Sequence, residues 1–233
     1  MGVAAPRPTH LNLSSDGIFG PTIQGEGPYA GRLATFLRLS GCNLACSWCD
    51  TPYTWDWDRY DKKAETIRTP VNEVAERLSE LPGRIVISGG EPLMQRHGLT
   101  QLLTHHLLRD RAVDVETNGT RSLGFTKGLW SGIIASPKVG PSAAQGTPPL
   151  DKDILEGATA FKFVVRDLAD LNATVAFCNS QGIAPERVWL MPEGTDAATL
   201  SERTPFVMQA ATQHFFNFTT RLHTYGWGSE RKH

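Results

Sequence analysis

Short apolar runs, each closed by a cluster of glycine, proline and polar residues, recur along the chain and limit what it can fold into. They fall at residues 34–39, 84–88, 113–116, 133–135, 161–165 and 188–190, with a further candidate at 215–219. Each is too short for a helix and rich in β-branched or aliphatic residues, which predicts strands. Helical periodicity separates several of them. Thr69 and Pro70 can open a helix carrying Val71, Val74, Leu78 and Leu81, and Leu99, Leu102, Leu103 and Leu107 mark a second. Asp167 can cap a third, with a stripe of Leu168, Leu171, Val175 and Cys178, and a last helix over 195–212 is expected to break near Pro205.

Strand–helix alternation predicts a mostly parallel α/β sheet with right-handed crossovers. An open doubly wound sheet and a barrel both satisfy that pattern. The unusual residues favour the barrel, because they gather where strands end: Ser88-Gly89-Gly90-Glu91-Pro92, Glu116-Thr117-Asn118-Gly119, Ser136-Pro137-Lys138, Met191-Pro192-Glu193-Gly194 and Arg221-Leu222-His223. Parallel folds place ligands at the carboxyl ends of their strands, and a barrel brings those ends to one mouth. Six or seven strands are fewer than eight, so a partial TIM-type barrel is expected. It forms one domain over 1–233, with residues 1–15 as a loose arm and 229–233 as a short tail.

The net charge of −1 comes without a basic run, which argues against direct nucleic-acid binding and for a small-molecule substrate. No apolar run reaches the roughly 18–20 residues that span a bilayer. The first residues lack a signal-peptide pattern, so no membrane partner and a cytoplasmic location are expected.

Of four cysteines, three stand within eight residues. Disulfide scaffolds spread their cysteines, so this clustering points to metal. Cys42, Cys46 and Cys49 directly follow the first expected strand and can hold a 4Fe–4S cluster with one iron left open, whereas closed clusters normally take four cysteines. A structural zinc ion would need a fourth ligand, and residues 43–60 offer no further Cys or His. Cys178 reads as a core residue of its helix.

Cys-x3-Cys-x2-Cys followed by Gly-Gly-Glu-Pro resembles the radical S-adenosylmethionine superfamily. Gln24-Gly25-Glu26-Gly27-Pro28-Tyr29-x-Gly31-Arg32, Phe36-Leu37-Arg38, Gly41-Cys42-Asn43-Leu44 and Trp48-Cys49-Asp50-Thr51 narrow the resemblance to the 7-carboxy-7-deazaguanine synthase family. The likeness continues through the strand-end motifs and covers about nine-tenths of the chain. It implies a lyase that contracts 6-carboxy-5,6,7,8-tetrahydropterin to 7-carboxy-7-deazaguanine with loss of ammonia. The reaction starts when a 5′-deoxyadenosyl radical takes the C6 hydrogen, on the route to queuosine and other 7-deazapurines.

The resemblance further implies S-adenosylmethionine contacts at Trp48, Cys49, Asp50, Gly90, Glu91, Glu116, Asn118, Ser136, Pro137 and Lys138. Substrate contacts fall to Ile23, Gln24, Gly25, Glu26, Arg38 and Ser88, and a Mg²⁺ ligand to Thr51. It also implies an external reductant such as flavodoxin or ferredoxin, and a homodimer. Residue chemistry agrees: Gln and backbone groups pair with an amide-like pterin edge, and an Arg fork suits its carboxylate. Plainer readings stand beside these. Asn118-Gly119 and Asp50-Thr51-Pro52 are common turn sequences, Lys138 suits a solvated loop, and Arg38 suits an interior ion pair. In some members the chain end reaches the substrate; Ser229 to His233 departs from that pattern, and no contact is assigned there. Two other readings share the cysteines: a glycyl-radical activase acting on a protein partner, and an iron–sulfur electron-transfer module.

Overall fold

Seven strands run parallel in the computed structural model, which describes residues 9–144, 146–228 and 230–232. In chain order the elements are β1 (His10–Ile23), β2 (Leu33–Leu39), α1 (Lys62–Glu65), β3 (Thr66–Pro70), α2 (Val71–Glu80) and β4 (Arg84–Gly89). There follow α3 (Arg96–Leu103), β5 (Val113–Thr117), β6 (Gly132–Ala135), α4 (Lys152–Gly157), β7 (Ala160–Val165) and α5 (Leu168–Gln181). The last are β8 (Val188–Pro192), α6 (Ala197–Gln213), β9 (Asn217–Phe218) and α7 (Leu222–Trp227). The sheet order is β3-β1-β2-β4-β5-β6-β7-β8-β9. Its end strands, β3 and β9, do not pair with one another, so the sheet is an open, partial barrel, as expected.

The two antiparallel strands at one edge are absent from the sequence reading. Residues 10–15 were expected in a loose arm; they form the first part of β1, and residues 1–8 of that arm lie outside the described residues. Leu11 and Leu13 alternate with Asn12 and bury completely or nearly so against the helix layer. The cluster loop therefore follows the second strand of the chain, which is the first of the parallel run.

Helix boundaries differ too. Thr69 and Pro70 finish β3, paired with Leu11 and His10, and α2 begins only at Val71. Leu107 and Leu168 are exposed; Leu108 and Thr174 take the buried places. Helix α6 runs unbroken through Pro205, because the prolyl ring and Ser201, whose carbonyl loses its usual donor, both lie on the exposed side. Asp167 caps α5 as expected, accepting from Asp170 N at 3.0 Å.

Period-two alternation divides the sheet's faces. Leu37, Leu39, Ile85, Ile87 and Val113 pack with Val74, Leu78, Leu99 and Leu102 of α2 and α3. Val115, Ile133, Phe161, Phe163, Val188 and Leu190 pack with Leu171 and Cys178 of α5 and with Val207 and Ala210 of α6. The alternate positions, including Phe36, Arg38, Ser88, Glu116, Lys162, Val164 and Met191, line a cavity on the other face. Phe19 stacks on Phe36, with ring centroids 5.2 Å apart, and Ala34 and Val86 join them in a small apolar cluster. No described helix is long and apolar enough to cross a membrane.

Candidate active site

The loop after β2 carries Cys42, Cys46 and Cys49, all without disulfide partners and all lining the cavity. The glycine pair at the end of β4 holds this loop in place. Gly90 N donates to Leu39 O at 3.0 Å and Glu91 N to Gly41 O at 2.7 Å. A Cβ on Gly90 would lie 2.0 Å from Gly41 O, so only glycine permits this approach. Glu91 expresses the same constraint. Its side chain is fully buried and accepts from Leu93 N, Thr117 Oγ1 and Asn118 N at 2.8–2.9 Å.

The thiols suit a polynuclear centre. Leu44 N donates to Cys42 Sγ at 3.4 Å and Trp55 Nε1 to Cys49 Sγ at 3.3 Å, the kind of N–H···S contact that tunes iron–sulfur clusters. Burial pushes the Cys42 thiol up to about 11 and also raises Cys46, so holding them as thiolates needs positive charge from bound iron. Among the described residues no three His, Cys, Asp or Glu side chains converge as the ligand shell of a single ion.

A charged network anchors the segment after β1 and reaches Asp50, next to Cys49. Glu26 Oε2 accepts from Lys162 Nζ, and Glu26 Oε1 from Arg221 Nε at 2.9 Å. Arg221 also donates to Asp50 Oδ2 and, at 2.7 Å, to Gly194 O. Burial would raise the Glu26 carboxyl, but Lys162, Arg221 and His223 more than reverse that and hold it well below its usual range. Loss of hydration likewise opposes ionisation of Asp50, and Arg221 overrides it. His223 is lowered by burial against the pull of Glu26. Gly25 packs so tightly on His223 that a Cβ would come within 2.0 Å of Nδ1.

Most of the expected site residues meet here. Ile23, Gln24, Gly25, Glu26, Arg38, Trp48, Asp50, Thr51, Ser88, Gly90, Glu116, Asn118, Ser136 and Lys138 line the same cavity as the cysteines. Arg38 does make the interior ion pair, with Asp16, yet its side chain keeps 19% exposure. Lys138 is no solvated loop charge: it donates to Ser136 Oγ at 2.8 Å, faces the Trp48 ring 5.0 Å from its centroid, and burial lowers its pKa. Asn118 Nδ2 donates to Asn43 Oδ1 at 3.1 Å, tying the cysteine loop to the end of β5.

Two expected residues do not line this cavity. Glu91 has its carboxylate committed to internal donors, and Pro137 faces a neighbouring cavity bordered by Val139, Pro148 and Phe177. Lys162, Glu193, Arg221 and His223 line it without having been assigned a role from sequence. Lys162 was legible: a lysine between Phe161 and Phe163 must face opposite them, which a buried strand tolerates only with a counter-charge.

A model of the radical SAM superfamily matches residues 37–130. The 7-carboxy-7-deazaguanine synthase of Hyperthermus butylicus is 33% identical over 212 residues, which cover 87% of this chain and 88% of that protein. The enzyme of the same name from Pyrobaculum aerophilum is 33% identical over 218 residues, 90% of this chain and 93% of its own. Among solved structures, QueE from Escherichia coli superposes with a TM-score of 0.70 over 92% of this chain and 95% of that one, at 23% identity. Streptococcus suis SuiB bound to S-adenosylmethionine gives 0.52 over 78% of this chain and 49% of that one, at 18% identity. At these identities the structural likeness is one of fold.

Proposed function

Since this chain belongs to the 7-carboxy-7-deazaguanine synthase family of the radical SAM superfamily, we propose that it contracts 6-carboxy-5,6,7,8-tetrahydropterin to 7-carboxy-7-deazaguanine with release of ammonia. One observation carries this reading: a single cavity is lined by the three cysteines together with Gln24, Glu26, Arg38 and Ser88. When bound, the 4Fe–4S cluster and S-adenosylmethionine supply the 5′-deoxyadenosyl radical that removes the C6 hydrogen.

The chain's own residues bind, orient and enclose. Cys42, Cys46 and Cys49 hold the cluster. Gly90 presents its backbone to the methionine portion of S-adenosylmethionine beside the cluster loop. Glu116 and Asn118 offer acceptors and donors to the ribose, while Trp48, Asp50, Ser136 and Lys138 border the rest of that ligand. Glu91 acts from behind, keeping the Gly-Gly turn against β5, and Pro137 shapes the adjoining loop.

On the substrate side, Gln24 and the backbone of Ile23 and Gly25 pair with the pterin edge. Glu26 accepts pterin N–H groups on the lone pairs left free by Lys162 and Arg221. Arg38 meets the carboxylate, with Ser88 beside it. Such fixed donors and acceptors limit which hydrogen meets the radical, because proximity does most of that selection. Thr51, on the cavity lining, would offer a hydroxyl oxygen to Mg²⁺, a hard ion that would help to organise the substrate. An external one-electron reductant of the flavodoxin or ferredoxin class and a homodimeric assembly complete the reading on the family's account alone.

The test is anaerobic turnover of reconstituted, reduced protein with S-adenosylmethionine and the pterin. Formation of 7-carboxy-7-deazaguanine and ammonia supports the proposal; S-adenosylmethionine cleavage with the pterin returned intact refutes it.

A further inference from the structure

The β1–β2 ladder contains an irregularity with a carboxylate inside it. Leu13 pairs with Leu39 and Ile18 with Leu37, so Ser14 to Gly17 stand opposite Arg38 alone. The surplus length forms a bulge, with Gly17 at φ +62°. Bulges beside active sites re-aim side chains. This one aims Asp16, whose side chain is only 2% exposed and does not line the cavity that Arg38 enters.

Three groups meet Asp16. Arg38 Nε stands 3.3 Å from Oδ2, and Tyr53 donates its hydroxyl to the same oxygen. Arg231, from the segment after α7, brings Nε to 3.9 Å from Oδ1. Arg231 is held there on two further sides. Its guanidinium lies over the Tyr53 ring, 3.4 Å from the centroid, and its Nη2 is 3.4 Å from Glu65 Oε1. Ser15, next to Asp16 in the bulge, donates to the same glutamate.

The balance of charge decides what Arg231 does. Asp16 and Glu65 contribute two negative charges, and Arg38 and Arg231 contribute two positive ones. With Arg231 present, Asp16 is shared between two cations, and Arg38 keeps charge to offer an anion in the cavity. Without it, Arg38 alone compensates a buried carboxylate, which draws the guanidinium back and lowers the potential that an incoming anion meets.

We propose that Arg231 is a positioning residue for substrate recognition: by neutralising Asp16 from behind, it keeps Arg38 available to the pterin carboxylate and sets the preference for a carboxylated pterin. This rests on the reading of Arg38 as the carboxylate's partner.

The experiment measures anaerobic equilibrium binding of two probes to cluster-replete protein: 6-carboxy-5,6,7,8-tetrahydropterin, and 5,6,7,8-tetrahydropterin without the carboxylate. Arg231→Ala is expected to weaken the carboxylated probe by about two- to fivefold and leave the other unchanged. Arg231→Lys, which keeps the charge, retains the preference. In an Asp16→Asn background Arg231→Ala has no further effect, since the charge it screens is gone. Arg38→Ala abolishes the preference. Equal weakening of both probes by Arg231→Ala, or an undiminished effect in Asp16→Asn, overturns the proposal. If Asp16→Asn does not fold, the comparison of Arg231→Ala with Arg231→Lys decides by the same ratio. A preference that survives Arg38→Ala overturns the reading of Arg38 together with the proposal. A preference lost in Arg38→Ala but kept in Arg231→Ala overturns the proposal alone.

Discussion

Gln24 Nε2 donates to Glu116 Oε1 at 3.1 Å, and Ser88 Oγ donates to the other oxygen of that carboxylate at 2.9 Å. Glu116, assigned to the ribose, thus holds two residues assigned to the pterin. Its removal frees those two side chains and takes an acceptor from S-adenosylmethionine. Glu116→Ala is expected to weaken both ligands, each by about tenfold, whereas Gln24→Ala weakens the pterin alone. Separate titrations of the two ligands check this, and an effect of Glu116→Ala on only one would place the residue wholly on that side.

The cysteines divide by environment. Cys42, Cys46 and Cys49 sit on a loop facing the cavity, while Cys178 is 2% exposed on the core face of α5. Alanine at any of the three loop positions is expected to leave a folded protein without an intact 4Fe–4S cluster. Cys178→Ala should keep the cluster and cost about 1 kcal/mol of stability. Iron content and the visible spectrum after anaerobic reconstitution decide; cluster loss in Cys178→Ala as complete as in Cys42→Ala would refute the assignment.

Gly90 holds the cysteine loop through backbone packing. A methyl group there meets Gly41 O at 2.0 Å, and neither atom belongs to a side chain that can turn away. Gly90→Ala should therefore push the cysteine loop off β4 and reduce cluster occupancy, with secondary structure retained. Full iron loading in Gly90→Ala would contradict this account of the glycine.

How much of this was legible in sequence follows from what each residue faces. The parallel strands were readable because their helix-facing positions are aliphatic and each short run closes on turn residues. β1 was not, because its inward positions include Ser14, Asp16 and Thr22, all buried and polar, and its two register shifts place Asp-Gly and Gly-Pro where turns are usually read. The site motifs at the ends of β4, β5 and β6 were readable because glycine, asparagine and lysine are out of place in apolar strands. Arg231 was not, since a charged segment reads as solvated until Tyr53 and Asp16 are seen beneath it. Pro205 shows the reverse error: a helix breaker costs little where the orphaned carbonyl faces water.

Acid stability should carry the signature of Glu26. Burial disfavours its ionised form, but Lys162, Arg221 and His223 hold the folded-state pKa below the unfolded value near 4.3. The folded protein then binds fewer protons at this group than the unfolded chain. The stability it contributes is complete above about pH 4.3 and is lost as the pH falls toward the folded-state value. Glu26→Gln leaves Lys162 and Arg221 short of a partner and should cost about 3–5 kcal/mol at pH 7. Urea unfolding from about pH 6 to about pH 3 should show that gap closing on the acid side; a constant gap would refute the role given to the carboxylate.

Thr51 lines the cavity, with Oγ1 3.7 Å from Cys49 Sγ. As a Mg²⁺ ligand that organises substrate, it should matter more for ring contraction than for cleavage of S-adenosylmethionine. Chelation and Thr51→Ala are each expected to lower product yield while substrate-free cleavage persists. Undiminished product formation under both conditions would remove the ion from the reaction.

The central claim is that the cavity sets one hydrogen of the pterin against the deoxyadenosyl carbon. Substrate deuterated at C6 tests it most directly, given to reduced, cluster-replete protein with S-adenosylmethionine. The account expects 5′-deoxyadenosine carrying a single deuterium, and a 7-deazapurine product formed with loss of ammonia. Unlabelled 5′-deoxyadenosine with the pterin recovered unchanged would contradict it, and would favour a radical enzyme of this superfamily acting on another substrate.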